Sequence, residues 1–257
     1  MKIIVCVKQV PAKDSTLRLS EDSSWIRDTD LSFEMNEPDA YALESGLLLK
    51  EKHGGEVIIV SIGPVRVQQT IREALAKGAD RAIHIVEERI SHLDSFGVAR
   101  LMAEAIRKEG FDLILSGLQS DDMCFGQTGV ILAELLCVPH ATIIMEVQVE
   151  QGTLKVKREL EAGWFQWVEM PLPALLTIQS GISRLRYTTL MGIKKVKSKE
   201  LRQVTAAELG IAPAASGQKL HRVYVPVKTK KTELLEGSPK EAAAKLVEKL
   251  RHDVRVL

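Results

Sequence analysis

The chain has 257 residues, 45% hydrophobic and 27% charged, the composition of a globular protein long enough to bury a full core. Its 35 Lys and Arg against 34 Asp and Glu leave a formal charge of +1, so no global field draws it to nucleic acid or acidic lipid. No apolar run approaches the ~20 residues of a membrane span. Cys6, Cys124 and Cys137 form no C-x-x-C pair, and the six histidines have no metal-ligand spacing. This composition points to a reducing compartment, with neither a disulfide framework nor structural zinc.

The N-terminal MKIIVCVKQVP lacks the long apolar stretch and small-residue cleavage site of a signal peptide. Its run 3–7 instead predicts a strand buried on both faces. A helix follows Asn36, a good N-cap with Pro38 in the first turn, and Gly54-Gly55 ends it. Strand patterns at 57–62, 82–86, 111–115 and 141–149 then alternate with helical ones at 67–77, 98–109 and 126–136. This alternation predicts a parallel α/β sheet with right-handed crossovers. Beyond residue 147 the texture changes. Gln151-Gly152 between alternating runs predicts a hairpin. Strands are expected at 164–170 and 174–178, a loop over 181–191, a linker at 212–217, and a last helix from Ser238-Pro239. Trp164 and Trp167, three apart in a strand pattern, are expected to face opposite sides, one of them into the core.

Neither G-x-G-x-x-G nor a P-loop is present. The segment 122–129, DMCFGQTG, is a long loop that opens a helix after a strand end, where open α/β sheets bind ligands. Gly126 and Gly129 let backbone approach a ligand closely. The helix N-terminus offers free N–H groups, and Thr128 adds a hydroxyl. A phosphate site and a plain helix cap both satisfy this pattern.

Segment 156–177 reads VKRELEAGWFQWVEMPLPALLT. Val156, Arg158, Glu161, Gly163, Gln166, Val168, Pro173, Leu175, Leu176 and Thr177 fill the slots of one signature; Ala162 stands where Gly or an acid is preferred. The signature resembles that of the electron-transfer flavoprotein beta subunits, and the likeness extends over roughly residues 1–200. The resemblance implies a Rossmann-like α/β domain of the adenine nucleotide alpha hydrolase and universal-stress type over 1–185. It implies a recognition loop and an extended C-terminal arm over 186–257, packing on the alpha subunit of a heterodimer. It implies an electron carrier without catalytic residues of its own, in the cytoplasm and not inserted in a membrane. Such a carrier takes electrons from acyl-CoA dehydrogenase-type flavoenzymes and passes them to a membrane or quinone acceptor.

The same resemblance implies AMP as a structural ligand, held by Cys6, Asn36, Ile62, Asp122, Phe125, Gly126, Gln127, Thr128, Gly129 and Val130. FAD is held mainly by the alpha subunit, with the loop 10–13 near its ring and Lys13 where other members carry an aromatic. A bifurcating branch binds a second FAD in place of AMP. Thr128 and Val130 favour AMP, whereas 39–44, DAYALE, is similar to the bifurcating branch. Arg186-Tyr187-Thr188-Thr189-Leu190 resembles the family's docking loop, with Leu190 as the apolar anchor. Glu159 matches an acid linked to contacts with the partner's mobile flavin domain. Lys194, Lys195, Lys197 and Lys199 read as a solvated basic face or as a steering patch for an acidic partner. A universal-stress-like nucleotide sensor, the alternative from another class, would end near residue 149.

Overall fold

The computed structural model describes residues 1–150, 152–211, 216–218, 220–227, 229 and 232–256. The first apolar run forms β1 (Lys2–Cys6), with Ile3, Ile4 and Val5 wholly buried. A small antiparallel pair follows, β2 (Gln9–Pro11) and β3 (Phe33–Met35). Then come α1 (Glu37–His53), β4 (Glu56–Gly63), α2 (Gln68–Lys77), β5 (Arg81–Val86), α3 (Ser95–Glu109) and β6 (Leu113–Gly117). Pro38 lies in the first turn of α1, and Gly54 ends that helix at φ 70°, as the punctuation predicts. The second half comprises α4 (Thr128–Leu136), β7 (His140–Glu150), β8 (Thr153–Glu159), β9 (Phe165–Pro171), β10 (Ala174–Ile178), α5 (Leu190–Lys195), β11 (Leu201–Thr205) and α6 (Pro239–Lys249).

Among the described residues nine strands form one sheet, in the order β11-β5-β4-β1-β6-β10-β7-β8-β9. Every pairing from β11 to β7 is parallel, and β8 and β9 extend the sheet antiparallel. The chain winds outward from β1 through β4 to β5, then restarts at β6 on the other side of β1. The carboxyl ends of β1 and β6 therefore flank the crevice where a doubly wound sheet places its ligand. Alternate strand residues feed two cores. Ile3, Val5, Ile59 and Leu115 pack with α1 and α2, while Ile4, Ile58, Ile83 and Ile114 pack with α3 and α4.

The structure corrects several expectations. Neither tryptophan enters the core: Trp164 is 72% exposed and Trp167 45%. Trp164 stands in the turn before β9, and along β9 it is Met170 that turns inward while Phe165 and Trp167 face outward. Lys155 and Lys157 of the neighbouring strand lie over the rings of Trp167 and Phe165, so the aromatic faces are covered by lysine stems and ammonium groups. The strand expected at 174–178 forms as β10, and it inserts between β6 and β7. The expected loop over 181–191 already contains the first residues of α5, and β11 adds an unforeseen edge strand to β5. Ala162 has φ 57°, the left-handed region that explains why Gly is preferred at that slot. Gln151 and residues 212–215, parts of the expected hairpin turn and linker, lie outside the described residues.

The arm starts against the body, where the Gly217 N–H donates to Asp94 Oδ2 at 2.7 Å. Ser238 and Glu241 form a capping box at the start of α6, and that helix has no buried residue.

Candidate functional site

The crevice is built around one carboxylate. Asp39, in the first turn of α1, is 6% exposed. Its Oδ2 accepts the Lys8 N–H at 2.8 Å and its Oδ1 accepts the Gly117 N–H at 2.7 Å. It thereby joins the ends of β1 and β6 to the start of α1. Burial pushes the Asp39 carboxyl up to about 6, against the pull of the two backbone N–H groups that favour its charged form. Cys6, buried at the end of β1, has its thiol raised by burial and, less, by the nearby Asp39 charge.

Asn36 fastens the loop that precedes α4. It is 1% exposed. Its N–H donates to Lys8 O at 2.9 Å, its Nδ2 donates to Gln119 O at 3.0 Å, and its Oδ1 accepts the Asp121 N–H at 2.9 Å. Lys8 Nζ donates to Asp122 Oδ1 at 2.6 Å and to Ser120 Oγ at 3.1 Å. Asp122 is thus paired with Lys8, and the loop is tied to β1 and α1 along its length. Lys13 pairs with Glu37 on the same rim.

Thr128 is the first residue of α4, and the preceding Gln127 makes no side-chain cap. The first intrahelical donor is the Ile131 N–H, to Gln127 O at 3.0 Å, so the N–H groups of Thr128, Gly129 and Val130 have no partner within the helix. Gly126 has φ 63°. Gly129 is buried so tightly that a Cβ would lie 2.7 Å from Thr177 Cγ2 and 2.9 Å from Ser116 Oγ. The Ser116 hydroxyl is itself buried and, among the described residues, has no hydrogen-bond partner. Phe125 is exposed, Thr128 and Val130 are half-buried, and Ile62 lies half-buried near the end of β4.

Cys6, Asn36, Asp122 and 126–130 therefore converge on the carboxyl edge of β1 and β6, with Ile62 on the adjoining strand. Glu159, Tyr187 and Leu190 lie elsewhere. Glu159 ends β8 and accepts from Gln179 Nε2 at 3.4 Å. Tyr187 is 87% and Leu190 80% exposed. Thr189 caps α5 by accepting the Gly192 N–H at 3.0 Å. Lys199 departs from the solvated run expected for it: its Nζ donates to Leu75 O at 2.8 Å and to Ala79 O, capping the end of α2.

Asp39, Lys8 and Ser116 are the site residues that sequence reasoning missed. The signal for Asp39 was present, an acid in the first turn of an apolar helix beside a strand end. Nothing local distinguishes Ser116 within Leu113–Gly117. Among the described residues no group of acids, His and Cys is placed to hold a metal ion, and no helix is long and apolar enough to cross a membrane.

Residues 24–209 match the electron transfer flavoprotein domain family. The electron transfer flavoprotein subunit beta of Methylophilus methylotrophus is 37% identical over 257 residues, covering 96% of this chain and 97% of its own. The beta subunit of Bradyrhizobium diazoefficiens is 34% identical over 260 residues, covering 100% of both chains. That of Bos taurus is 36% identical over 214 residues, covering 82% of this chain and 84% of its own.

Proposed function

The chain belongs to the electron transfer flavoprotein beta-subunit family, and from that premise we propose that it is the AMP-binding half of a heterodimeric electron carrier. It takes no substrate of its own. Residues 1–185 form the nucleotide-binding body, and 186–257 supply the docking loop and the arm that packs on the alpha subunit. The alpha subunit holds FAD, whose isoalloxazine supplies the redox chemistry. The complex carries electrons in the cytoplasm from acyl-CoA dehydrogenase-type flavoenzymes, docked through Leu190 and Tyr187, to a membrane or quinone acceptor.

The observation that carries the nucleotide reading is the uncapped start of α4. Among the described residues its first N–H groups have no partner, Gly126 keeps a side chain out of the approach, and Gly129 lets α4 pack closely on β6 and β10, where the Ser116 hydroxyl lies buried and unpaired. An adenine nucleotide fits these residues. The 128–130 amides and the Thr128 hydroxyl would receive its phosphate. Cys6, Asn36, Ile62, Asp122, Phe125 and Gln127 would line the remainder. Held in this way, AMP stabilises the folded heterodimer by mass action.

One observation favours a second reading. DAYALE at 39–44 is similar to the bifurcating branch, in which a second FAD takes the place of AMP. Thr128 weighs against it, because a hydroxyl donates to a phosphate and the branch's Val cannot. The test is to co-express the chain with its alpha subunit, denature the purified heterodimer and quantify released nucleotides by chromatography. About one FAD and one AMP per heterodimer supports the simple carrier. About two FAD and no AMP establishes the two-flavin reading in its place.

A further inference from the structure

The segment that carries Tyr187 and Leu190 protrudes, yet its base is fastened to two helices. Arg186 Nε lies 2.9 Å from Glu44 Oε2 and 3.1 Å from Oε1, and its Nη2 lies 2.9 Å from Oε1. The Arg186 N–H also donates to Glu44 Oε2, at 3.2 Å, and Nη1 donates to Glu51 Oε1 at 2.7 Å. Glu44 and Glu51 are seven residues apart on α1, two turns along one face. Only a planar, forked cation reaches both, so lysine is no substitute here.

Glu44 is 4% exposed, and among the described residues Arg186 is its one cationic partner. A buried carboxylate without its partner is strongly unfavourable, so the pair defines where the segment leaves the body. Beyond it, α5 sits so close to α2 that a Cβ at Gly192 would fall 2.2 Å from Ala76 O. The fold of α1 does not depend on this clamp, because its core residues Ala42, Leu43 and Leu47 pack against the sheet independently.

We propose that Arg186 is a positioning residue for partner docking: by bridging Glu44 and Glu51 it holds Tyr187 and Leu190 in the arrangement that a partner's apolar pocket receives. The proposal rests on the docking role given to Leu190. A loop fixed before encounter loses less freedom on binding than a mobile one. Removing the bridge should therefore weaken docking while leaving electron transfer within the docked complex alone.

The test uses the FAD-loaded heterodimer as acceptor and an acyl-CoA dehydrogenase, reduced by its acyl-CoA, as donor. Arg186→Lys keeps the charge and loses the fork. It should raise the KM for the heterodimer about tenfold and leave kcat within about twofold. Glu51→Gln removes the exposed partner alone and should raise KM about threefold. FAD content should match wild type in both. In a Leu190→Ala background the Arg186→Lys effect should shrink, because only Tyr187 remains to be positioned.

A raised KM in Leu190→Ala with an unchanged KM in Arg186→Lys overturns the positioning role and leaves the docking reading standing. An unchanged KM in both overturns the two together. Where Arg186→Lys does not fold, the Glu51→Gln KM decides in the same way. In the heterodimer alone, amide hydrogen exchange over 187–195 should quicken about tenfold in Arg186→Lys; unchanged exchange overturns the clamp whatever the donor.

Discussion

Asp39 Oδ1 accepts the Gly117 N–H at 2.7 Å, and a Cβ on Gly117 would fall 2.5 Å from that same oxygen. The contact forms because residue 117 is Gly, and it places a buried carboxylate at the crevice between β1 and β6. The helix N-terminus at α4 is then held over the sheet edge by the loop that leaves Gly117.

Asp39 gives the fold a pH dependence of known sign. Its carboxyl is raised from an ordinary value of 3.8 to about 6 by burial. Between those values the folded chain binds the proton more tightly than the unfolded chain. This group therefore lowers stability as pH rises through the window, with its penalty absent below about 4 and complete above about 6. Asp39→Asn should lose roughly 1–3 kcal/mol at acid pH, since its amide turns a donor toward one of the two N–H groups. It should also lose the slope. Denaturant unfolding of the heterodimer from about pH 4 to about pH 7 measures both, and an identical pH profile in the variant and wild type rejects the assignment.

Thr128→Val removes a hydroxyl at the first position of α4 while keeping its shape. A hydrogen bond to a charged group contributes roughly 1.5–3 kcal/mol, so AMP affinity should fall about 10- to 100-fold. AMP retained by the heterodimer after extended gel filtration is the readout. Wild-type retention would remove Thr128 from the site.

Leu190→Ala truncates an exposed apolar anchor. As a hot spot it should cost about 2 kcal/mol or more of docking energy. Electron transfer from an acyl-CoA dehydrogenase should slow at sub-saturating heterodimer while FAD content stays intact. Equal rates at every concentration would end the anchor role.

Gly192→Ala places a Cβ 2.2 Å from the Ala76 carbonyl oxygen, a backbone atom with no rotamer to yield. Overpacking of this kind costs about 1–3 kcal/mol, and here α5 is the element able to move away. We expect faster proteolysis near Lys194 and Lys195 with nearly unchanged global unfolding. A wild-type cleavage rate would mean that the two helices tolerate the methyl group.

What could be read in the sequence was what local chemistry dictates. Strands buried on both faces, such as Ile3–Val5, must be apolar throughout, and α6 carries its capping box in the chain itself; Asn36, expected to cap α1, stands at its N-cap position but turns its side chain to Gln119 and Asp121 instead. The place of β10 between β6 and β7 was not legible, because partner choice among apolar strands depends on residues far away in the chain. β11 was missed for a different reason: Leu201–Thr205 is a half-exposed edge strand whose Arg202 and Gln203 dilute the apolar pattern. The tryptophans misled because Trp164 lies outside the strand whose alternation was applied to it. In the site, Thr128 and Gly129 stand out by composition, whereas Ser116 and Lys8 acquire their positions only when β1, α1 and β6 meet. Arg186 was visible as part of a motif, but its partners Glu44 and Glu51 were not.

The late arrival of β10 also orders the events of synthesis. Leu113, Ile114 and Leu115 of β6 pair on one side with β1, already made, and on the other with Ala174, Leu175 and Leu176. Until the ribosome has passed Ile178, β6 is a bare apolar edge, and β7 with its antiparallel neighbours has no strand joining it to the body. A nascent chain halted between Glu150 and Pro173 carries an edge ready to pair with another copy of itself. Polypeptides of that length are the ones that a chaperone must shield, and C-terminal truncations in that interval should accumulate as aggregates rather than as a smaller nucleotide-binding domain.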